Sequence, residues 1–360
     1  MKSKKEETTT TMKRHRKVLG LLLVLLSGVM LSVGIASWAQ KPQPPQPTPD
    51  PAIAFVAEKN FSREDLMVMN ADGSNQTLVL EGGKSLGHHQ PNWSPDGTQL
   101  AFISKIQGDG VYIINREGTG LRKVVALNAA ASDFDGPAWS PVPAPDGRFK
   151  IAYSDRARKP DGTLEEDTDL FLVDVDGSGR VQLTNTRGLH ELDPTWSPLA
   201  TRLAAQVFDL VNDPLGESPD IIQYDLGLTP GNKVTIVSAT NLTAAGPLST
   251  GFVKSPGWAK TQDKIAVQGR LAGEDFSDIW VIDLVDAANP VNLTRTPARS
   301  ERDPSWSPDD SRIVFVMTPS EPGSKPSIFV MNADGTGVTK IAQPGKNVFG
   351  FNEPDWRRNP

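Results

Sequence analysis

The fold of this 360-residue chain follows from one stretch, DPSWSPDDSRIVFV at residues 303–316. The first half places Pro and Trp before a Ser-Pro-Asp-Asp turn, and the second half is a run of β-branched and aromatic residues. Pro presets the first corner of a tight turn and Asp bonds back to its backbone. The stretch therefore predicts a strand, a turn and a second strand.

The Pro-x-Trp motif recurs along the chain at intervals of about 46 to 62 residues. A period of this size is typical of a propeller blade built from four strands. An apolar strand follows each of the first five copies, and a third apolar strand and a short fourth strand come later in the repeat. We expect the tryptophans to wedge between adjacent blades; they are Trp93, Trp139, Trp196, Trp258, Trp306 and Trp356.

The two ends of this array are incomplete in complementary ways. Residues 53–56 match the strand that follows the motif, but no Pro-x-Trp precedes them, whereas Trp356 has no strand after it. Pairing the last strand with the first three would complete one blade and leave no open edge. The sequence therefore predicts an all-β fold, a six-bladed propeller of four-stranded antiparallel blades in which the N- and C-terminal strands share one blade.

The first 51 residues differ in composition from the rest. Residues 1–17 carry seven Lys or Arg and two Glu, residues 18–35 are apolar, and Ser37-Trp38-Ala39 supplies the small residues of a cleavage site. We interpret residues 1–40 as a signal peptide or, since the apolar run approaches the length of a membrane span, an N-terminal anchor. Residues 41–51 form a Pro-rich linker and residues 52–360 the propeller, which we expect to be periplasmic or secreted.

Composition excludes several kinds of function. The chain has no cysteine, which excludes disulfides, thiolate metal sites and a cysteine nucleophile. Its net charge is −6, and without the basic residues 1–40 it is about −11. Nucleic acids and anionic membranes are therefore disfavoured as partners, whereas basic partners remain compatible. We expect a monomer that contacts membrane only through an uncleaved N-terminal segment.

The repeat resembles a known family. Pro-x-Trp-Ser-Pro-Asp-Gly, an Ile-Ala-Phe strand and the segment Ile328–Gly337 are similar to the repeat of TolB-type β-propellers, and the similarity covers nearly all of residues 52–358. TolB is a periplasmic protein of the Tol–Pal envelope system with an α/β domain before its propeller. The resemblance implies the propeller fold and an envelope partner, although this chain has only the Pro-rich linker at that place.

Candidate binding residues lie in segments that we expect to form loops on one face of the ring. Short turns emerge on the other face, so the irregular sequence gathers around one channel mouth, where a rigid scaffold holds binding loops. We expect a protein or peptide partner in the cell envelope to bind there. The candidate contacts are His88, His89, Asp135, His190, Glu191, Asp193, Glu301, Arg302, Asp303 and Phe351.

Other chemistries remain alternatives. His88, His89 and His190 with nearby carboxylates would suit a metal, but a solvated polar rim is the simpler interpretation, and we expect no metal and no cofactor. An enzyme or a carbohydrate-binding protein would act at the channel mouth through His88, His190 and Glu191. The segment 174–179 faintly resembles a calcium loop but sits where every blade has a turn. Two glycosylation sequons, at Asn241 and Asn292, fall in fourth strands.

We expect signal peptidase to cleave after Ala39, because small residues precede that bond and the apolar segment before it is flanked by a basic one. Mass spectrometry of the N-terminus of the exported protein checks this expectation. An intact Met1 would contradict it and would identify residues 18–35 as an anchor.

Overall fold

The computed structural model describes residues 51–358, apart from residues 61–62, 84–86, 129–135, 215 and 232. These residues form six sheets of four antiparallel strands. Each of blades 1 to 6 is numbered by its tryptophan, from Trp93 in blade 1 to Trp356 in blade 6. The prediction of an all-β, six-bladed propeller is confirmed.

The first eleven strands of the chain belong to blades 6, 1 and 2. Blade 6 takes its last three strands from the start of the propeller, β1 (Ile53–Asn60), β2 (Arg63–Met69) and β3 (Thr77–Leu80). Blade 1 contains β4 (His88–Trp93), β5 (Gln99–Ser104), β6 (Gly110–Asn115) and β7 (Arg122–Ala126). Blade 2 contains β8 (Ala138–Trp139), β9 (Lys150–Asp155), β10 (Asp169–Asp174) and β11 (Val181–Gln182).

The remaining strands complete the ring. Blade 3 contains β12 (Leu189–Trp196), β13 (Arg202–Asp209), β14 (Asp220–Leu228) and β15 (Val234–Asn241). A short 3₁₀ helix (Pro247–Thr250) precedes blade 4, which contains β16 (Phe252–Trp258), β17 (Lys264–Arg270), β18 (Asp278–Asp283) and β19 (Val291–Asn292). Blade 5 contains β20 (Arg299–Trp306), β21 (Arg312–Pro319), β22 (Ser327–Asn332) and β23 (Thr339–Ala342), and β24 (Gly350–Trp356) completes blade 6.

The ring closes by strand pairing between its two ends. β24 pairs antiparallel with β1, with Ile53 opposite Trp356 and Ala57 opposite Phe351. One further backbone hydrogen bond, from Arg357 N to Ala52 O at 2.8 Å, extends the pairing beyond the strands. The shared blade predicted from the sequence is therefore confirmed, and the ring has no seam held only by side-chain contacts.

The core consists of apolar layers between neighbouring blades. The layer between blades 6 and 1, for example, combines Ala54 and Leu66 of blade 6 with Leu100 and Phe102 of blade 1. β5 and β6 are buried along nearly their whole length, because a neighbouring blade covers each face of the sheet. Trp93 belongs to this layer, and all six motif tryptophans are buried.

The Ser-Pro-Asp-Gly turns depend on a residue with positive φ. In blade 1, Gly97 has φ +67° and its N–H donates to Ser94 O at 2.9 Å. Blade 5 has Asp310 in this place, with φ +56°. The Asp310 carboxylate accepts hydrogen bonds from Lys260 N at 2.6 Å and Thr261 N at 2.9 Å in blade 4. The divergent turn of blade 4 is thus held by a side chain of the next blade.

Several segments that we expected to be loops are strands. The described candidate residues before four of the Pro-x-Trp motifs lie within β4, β12, β20 and β24, so the loop assignment was wrong for them. The strands continue past the proline because a bulge precedes it, as described below. The predicted near-absence of helix is confirmed for the described residues, among which no helix is long and apolar enough to cross a membrane. Residues 1–50, with the predicted signal or anchor and most of the linker, lie outside the described part.

Trp356→Ala should lower the free energy of unfolding by roughly 3–5 kcal/mol, because the substitution opens a cavity beside Ile53 and Phe55 where the ring closes. Urea denaturation followed by circular dichroism measures the change. Val338→Ala, at an exposed position in blade 5, is the control and should stay within about 0.5 kcal/mol. A loss for Trp356→Ala no larger than that of the control would contradict a closure held by this blade.

Candidate functional site

The first strand of most blades carries a bulge at the residue before the motif proline. The strand register shifts between His89 and Asn92 in β4, and equivalent shifts occur in β12, β16, β20 and β24. The residue before proline has positive φ in all five strands, although none of these residues is glycine. Such a bulge re-aims a side chain and is common beside functional sites. The five residues are Gln90, Asp193, Ser255, Asp303 and Glu353.

These residues and Gly136 of blade 2 surround one cavity of about 150 Å³. All six blades contribute to its lining, so the cavity is the central channel, and we call these six residues the channel ring. Three of them, Asp193, Asp303 and Glu353, are carboxylates. Because the channel walls are protein, the negative potential of three carboxylates is concentrated at this mouth.

Hydrogen bonds join the channel ring in pairs of neighbouring blades. Glu353 Oε2 accepts from Gln90 N at 2.6 Å, Asp193 Oδ1 accepts from Gly136 N at 3.2 Å, and Asp303 Oδ1 accepts from Ser255 Oγ at 3.3 Å. Every carboxylate of the ring thus contacts the adjacent blade. The bulges that place these side chains in the channel therefore also fix the blades against each other.

A second layer lies one step further along the channel, at the middle residue of Pro-x-Trp. Asn92 Oδ1 accepts from Trp139 N at 2.8 Å, and Asp355 Oδ2 accepts from Trp93 N at 3.0 Å. Thr195 and Ser305 bond Trp258 N and Trp356 N in the same way. Where the middle residue has no polar side chain, its carbonyl accepts instead from the indole Nε1 of the next blade's tryptophan, as Ala138 and Gly257 do. The motif thus encodes the contact between blades.

Charged side chains fill the opposite end of the channel, and two of them, Lys260 and Asp355, also line the cavity of about 150 Å³. Lys260 Nζ lies 3.6 Å from Asp355 Oδ1, and Arg358 Nη1 donates to Lys260 O at 2.8 Å. Burial lowers the pKa of Lys260, and the nearby Asp355 carboxylate opposes this effect. A cavity of only about 40 Å³ remains beside them. The channel therefore has an open acidic mouth and a closed end with an ion pair.

Among the predicted contacts, Asp193 and Asp303 line this mouth. Arg302 lies next to it, with Nη1 3.3 Å from Asp303 Oδ2 and Nη2 donating to Asn352 Oδ1 at 2.7 Å. His89 Nε2 lies 3.2 Å from Glu64 Oε2. Asp135 lies outside the described residues. The mouth thus combines the carboxylates of Asp193, Asp303 and Glu353 with the guanidinium of Arg302.

Four other predicted contacts point into the protein. His88, Glu191, Glu301 and Phe351 all stand five residues before a motif tryptophan and are buried. At this position the strand directs its side chain between blades, so these residues do not form a contact surface for a partner. Their assignment to an exposed loop face has to be corrected for that reason.

Glu191 is a buried carboxyl group held by hydroxyls. Its Oε2 accepts from Thr184 Oγ1 at 2.9 Å, and its Oε1 accepts from the Tyr224 hydroxyl at 3.2 Å. Burial raises the pKa of Glu191 to about 7 and that of the neighbouring Asp169 to about 6. Glu301 repeats the arrangement two blades further on, with Thr296 Oγ1 at 2.6 Å from Oε1, and burial raises its pKa to about 7.

The histidines do not assemble into a common site. His88 Nδ1 lies 2.9 Å from Ser104 Oγ in blade 1, and burial lowers its pKa. His190 Nδ1 lies 3.3 Å from Thr168 Oγ1, and burial lowers its pKa as well. Across the described ranges, no three His, Asp or Glu side chains converge in an arrangement that could hold a metal ion.

Two further motifs, the calcium-like segment 174–179 and the sequon at Asn292, are held by contacts within their own blades. In the calcium-like segment, the N–H of Gly177 donates to Asp174 O at 2.8 Å, and the Asp174 carboxylate pairs with Arg148 and Lys150. In the sequon at Asn292, the side-chain Nδ2 donates to Asp278 Oδ2 at 2.7 Å. Both segments are therefore parts of the blade architecture.

The candidate contacts drawn from the sequence missed four of the six residues of the channel ring. Gln90, Gly136, Ser255 and Glu353 line the channel with the two aspartates that we did single out. A signal was present, because each residue directly precedes the proline of the motif. A proline inside a strand pattern often marks a bulge, and a bulge marks a side chain with an unusual direction.

Comparisons with known proteins agree with this architecture. No protein-family model matches the chain. The TolB homologue of Chlorobium luteolum is 29% identical over 176 residues, which are 49% of this chain and 34% of that protein. Dipeptidyl-peptidase 5 of Porphyromonas endodontalis is 22% identical over 260 residues, 72% of this chain and 33% of that protein.

A solved structure shows the same fold. TolB from Acinetobacter baumannii matches with a TM-score of 0.62 at 18% identity, over 86% of this chain and 67% of that chain. The chain is a TolB-like β-propeller, as its repeat predicted. The matched segments span about a third of the curated relatives' length.

Glu191→Gln should change the pH dependence of stability. Burial raises the pKa of Glu191 from about 4.5 to about 7, so the folded state favours the neutral carboxyl group. Below about pH 4.5 Glu191 therefore costs the wild type no stability. As the pH rises from there through 7, its ionisation lowers the free energy of unfolding by up to about 3 kcal/mol. Gln stays neutral and keeps an oxygen acceptor, so the variant should gain stability relative to the wild type between pH 5 and pH 8.

Chemical denaturation of both proteins at several pH values measures this difference. Glu321→Gln, at an exposed position, is the control and should show no such trend. A stability difference between Glu191→Gln and wild type that is the same at pH 5 and pH 8 would contradict the raised pKa.

Proposed function

We propose that this protein is an extracytoplasmic, non-enzymatic scaffold with a TolB-like role in the cell envelope. It binds a protein or peptide partner over the mouth of the channel. Sequence similarity to a TolB homologue and the TolB-like fold support this role. The segment 1–40 supports a location outside the cytoplasm, because its basic and apolar parts have the order of an export signal.

The observation that carries the proposal is the channel ring. Five strands each present one side chain around a single opening, Gly136 occupies the sixth place, and three of the five side chains are carboxylates. A site on strands is better fixed than a site on mobile loops, so a partner can be bound with little ordering cost. The negative mouth favours a partner whose contact surface is basic.

The enzyme alternative has less support from geometry. It needs His88, His190 and Glu191 to act together on a substrate. His88 and Glu191 are buried in blades 1 and 3, and each bonds residues close to it in the fold. Similarity to a dipeptidyl-peptidase keeps a catalytic role testable, and the experiment below includes it.

The double variant Asp303→Asn, Glu353→Gln should weaken partner binding at least tenfold, because it removes two of the three carboxylate charges of the channel ring while keeping an oxygen acceptor at each position. A photo-crosslinking residue at Arg302, in cells, would capture the partner, and the purified pair would give affinities at two salt concentrations. The difference between variant and wild type should shrink at high salt.

The matched control is Glu117→Gln, Asp334→Asn, which removes two exposed charges from turns on the opposite face. It should leave the affinity unchanged. Equal affinities for both double variants would contradict binding at the mouth. Peptidase or lyase turnover that is lost on replacing His88, His190 and Glu191 with Ala, in a folded protein, would favour the enzyme instead.

A further inference from the structure

Blade 3 has an outer hairpin unlike those of the other blades. Its fourth strand, β15, has eight residues, whereas β3, β7, β11, β19 and β23 have two to five. The third strand is lengthened too, since β14 reaches Leu228 and pairs it with Val234. The hairpin therefore extends about 10 Å beyond Asp225, at roughly 3.3 Å for each of three residues.

The sequence explains this extension. In blades 1, 2, 5 and 6 an Asn or Asp ends the third strand or directly follows it, and a glycine three residues later closes a tight turn back onto that residue. In blade 3 the equivalent residue is Asp225, and Leu226-Gly227-Leu228 follows in place of a turn. The Asp225 carboxylate accepts from Ser238 Oγ across the hairpin. Apolar residues thus continue the strands beyond the body of the blade.

The projecting hairpin forms one wall of a groove between blades 2 and 3. Leu226, Leu228 and Val234 line this wall, and the Pro-rich insertion Val142–Pro145 lines the other. Trp196 and Leu199 complete a cavity of about 350 Å³. We call this cavity the blade 2–3 groove. It lies on the face of the short turns, away from the channel mouth.

The groove is apolar and open to solvent. Leu199 is 73% exposed, Leu228 46% and Val142 36%. Clusters of exposed apolar residues on a soluble protein generally mark interaction sites, since each remains in water unless a partner covers it. Other exposed apolar side chains, such as Val285 and Val338, do not line this cavity, whereas Val142, Leu199 and Leu228 share it.

Among the described residues of this region, one charged side chain has no ion-pair partner. A second cavity of about 300 Å³ shares Ala144, Pro145, Lys150 and Val234 with the groove and also includes Arg180 and Lys233. Lys150 pairs with Asp146 and Asp174, and Arg180 Nη2 lies 2.7 Å from Asp155 Oδ2. Within the described ranges Lys233 has no ion-pair partner. A ligand that fills the groove would therefore gain from a carboxylate near Lys233.

We propose that the blade 2–3 groove binds an extended, apolar segment of another protein that carries a carboxylate for Lys233. An extended shape fits because β14 projects past the first residue of β13, Arg202. Leu226 N still donates to Thr201 O at 2.9 Å, but among the described residues no strand pairs with Leu228 on that side. Alternate apolar side chains would cover Leu199 and Leu228. The site differs from the channel mouth in position and in charge, so the protein could bind two partners at once.

Two labelled peptides test the proposal, SLTVTLSD and SLTVTLSK, each acetylated and amidated. Fluorescence anisotropy with the propeller should show at least tenfold tighter binding of the peptide ending in Asp. Leu199→Asp should weaken that binding at least tenfold. Lys233→Glu should reverse the preference between the two peptides. All three effects follow from contacts at exposed positions, so the variants should fold normally, as circular dichroism would verify.

Val285→Asp is the matched control, because Val285 is 93% exposed in a turn of blade 4 and lies outside the groove. It should leave peptide binding unchanged. Equal affinity for both peptides, no binding at millimolar peptide, or equal losses for Leu199→Asp and Val285→Asp would each overturn the proposal. Sedimentation velocity tests whether a second copy of the chain occupies the groove instead. A wild-type dimer that Leu199→Asp dissociates would show this and would overturn the proposal.

Discussion

The antiparallel pairing of β24 with β1 is the interaction on which the rest of this propeller depends. Backbone hydrogen bonds across the closure turn a row of sheets into a ring, so every apolar layer has a blade on each side. Opening this pairing would expose Phe55 and Trp356 to water and remove one wall of the channel. The channel mouth exists only because the ring is closed.

A second constraint acts within each blade. The bulge before the motif proline holds a non-glycine residue at positive φ, which carries an energetic cost, and the surrounding strands compensate for it. The same bulge points Asp303 and Glu353 into the channel and lets their carboxylates bond a neighbouring blade. The bulge therefore supplies both the contact between blades and the charge at the channel mouth. Isosteric substitutions, which keep the hydrogen bond and remove the charge, are needed to separate these two effects.

The departures from the repeat are as informative as the repeat. Asp310 replaces a turn glycine and supports the divergent turn of blade 4, while Lys260 in that turn reaches Asp355 at the closed end of the channel. Leu226 and Leu228 replace turn residues and lengthen the hairpin of blade 3. The first departure seals one end of the channel and the second creates an apolar groove, so the two faces of the ring carry different chemistry.

The sequence alone determined the blade number, the strand order within a blade and the shared closing blade. These properties follow from local patterns, because each Pro-x-Trp copy marks one repeat and the defects at residues 53–56 and at Trp356 are complementary. It also identified Asp193 and Asp303 as residues near the channel mouth. Only the tertiary structure decided that Glu191 and Glu301 are buried, that Gln90 and Glu353 join the ring, and that Leu199 and Leu228 line the same groove. The direction of a side chain depends on strand register and on which blade lies beside it, and residues far apart in the chain set both.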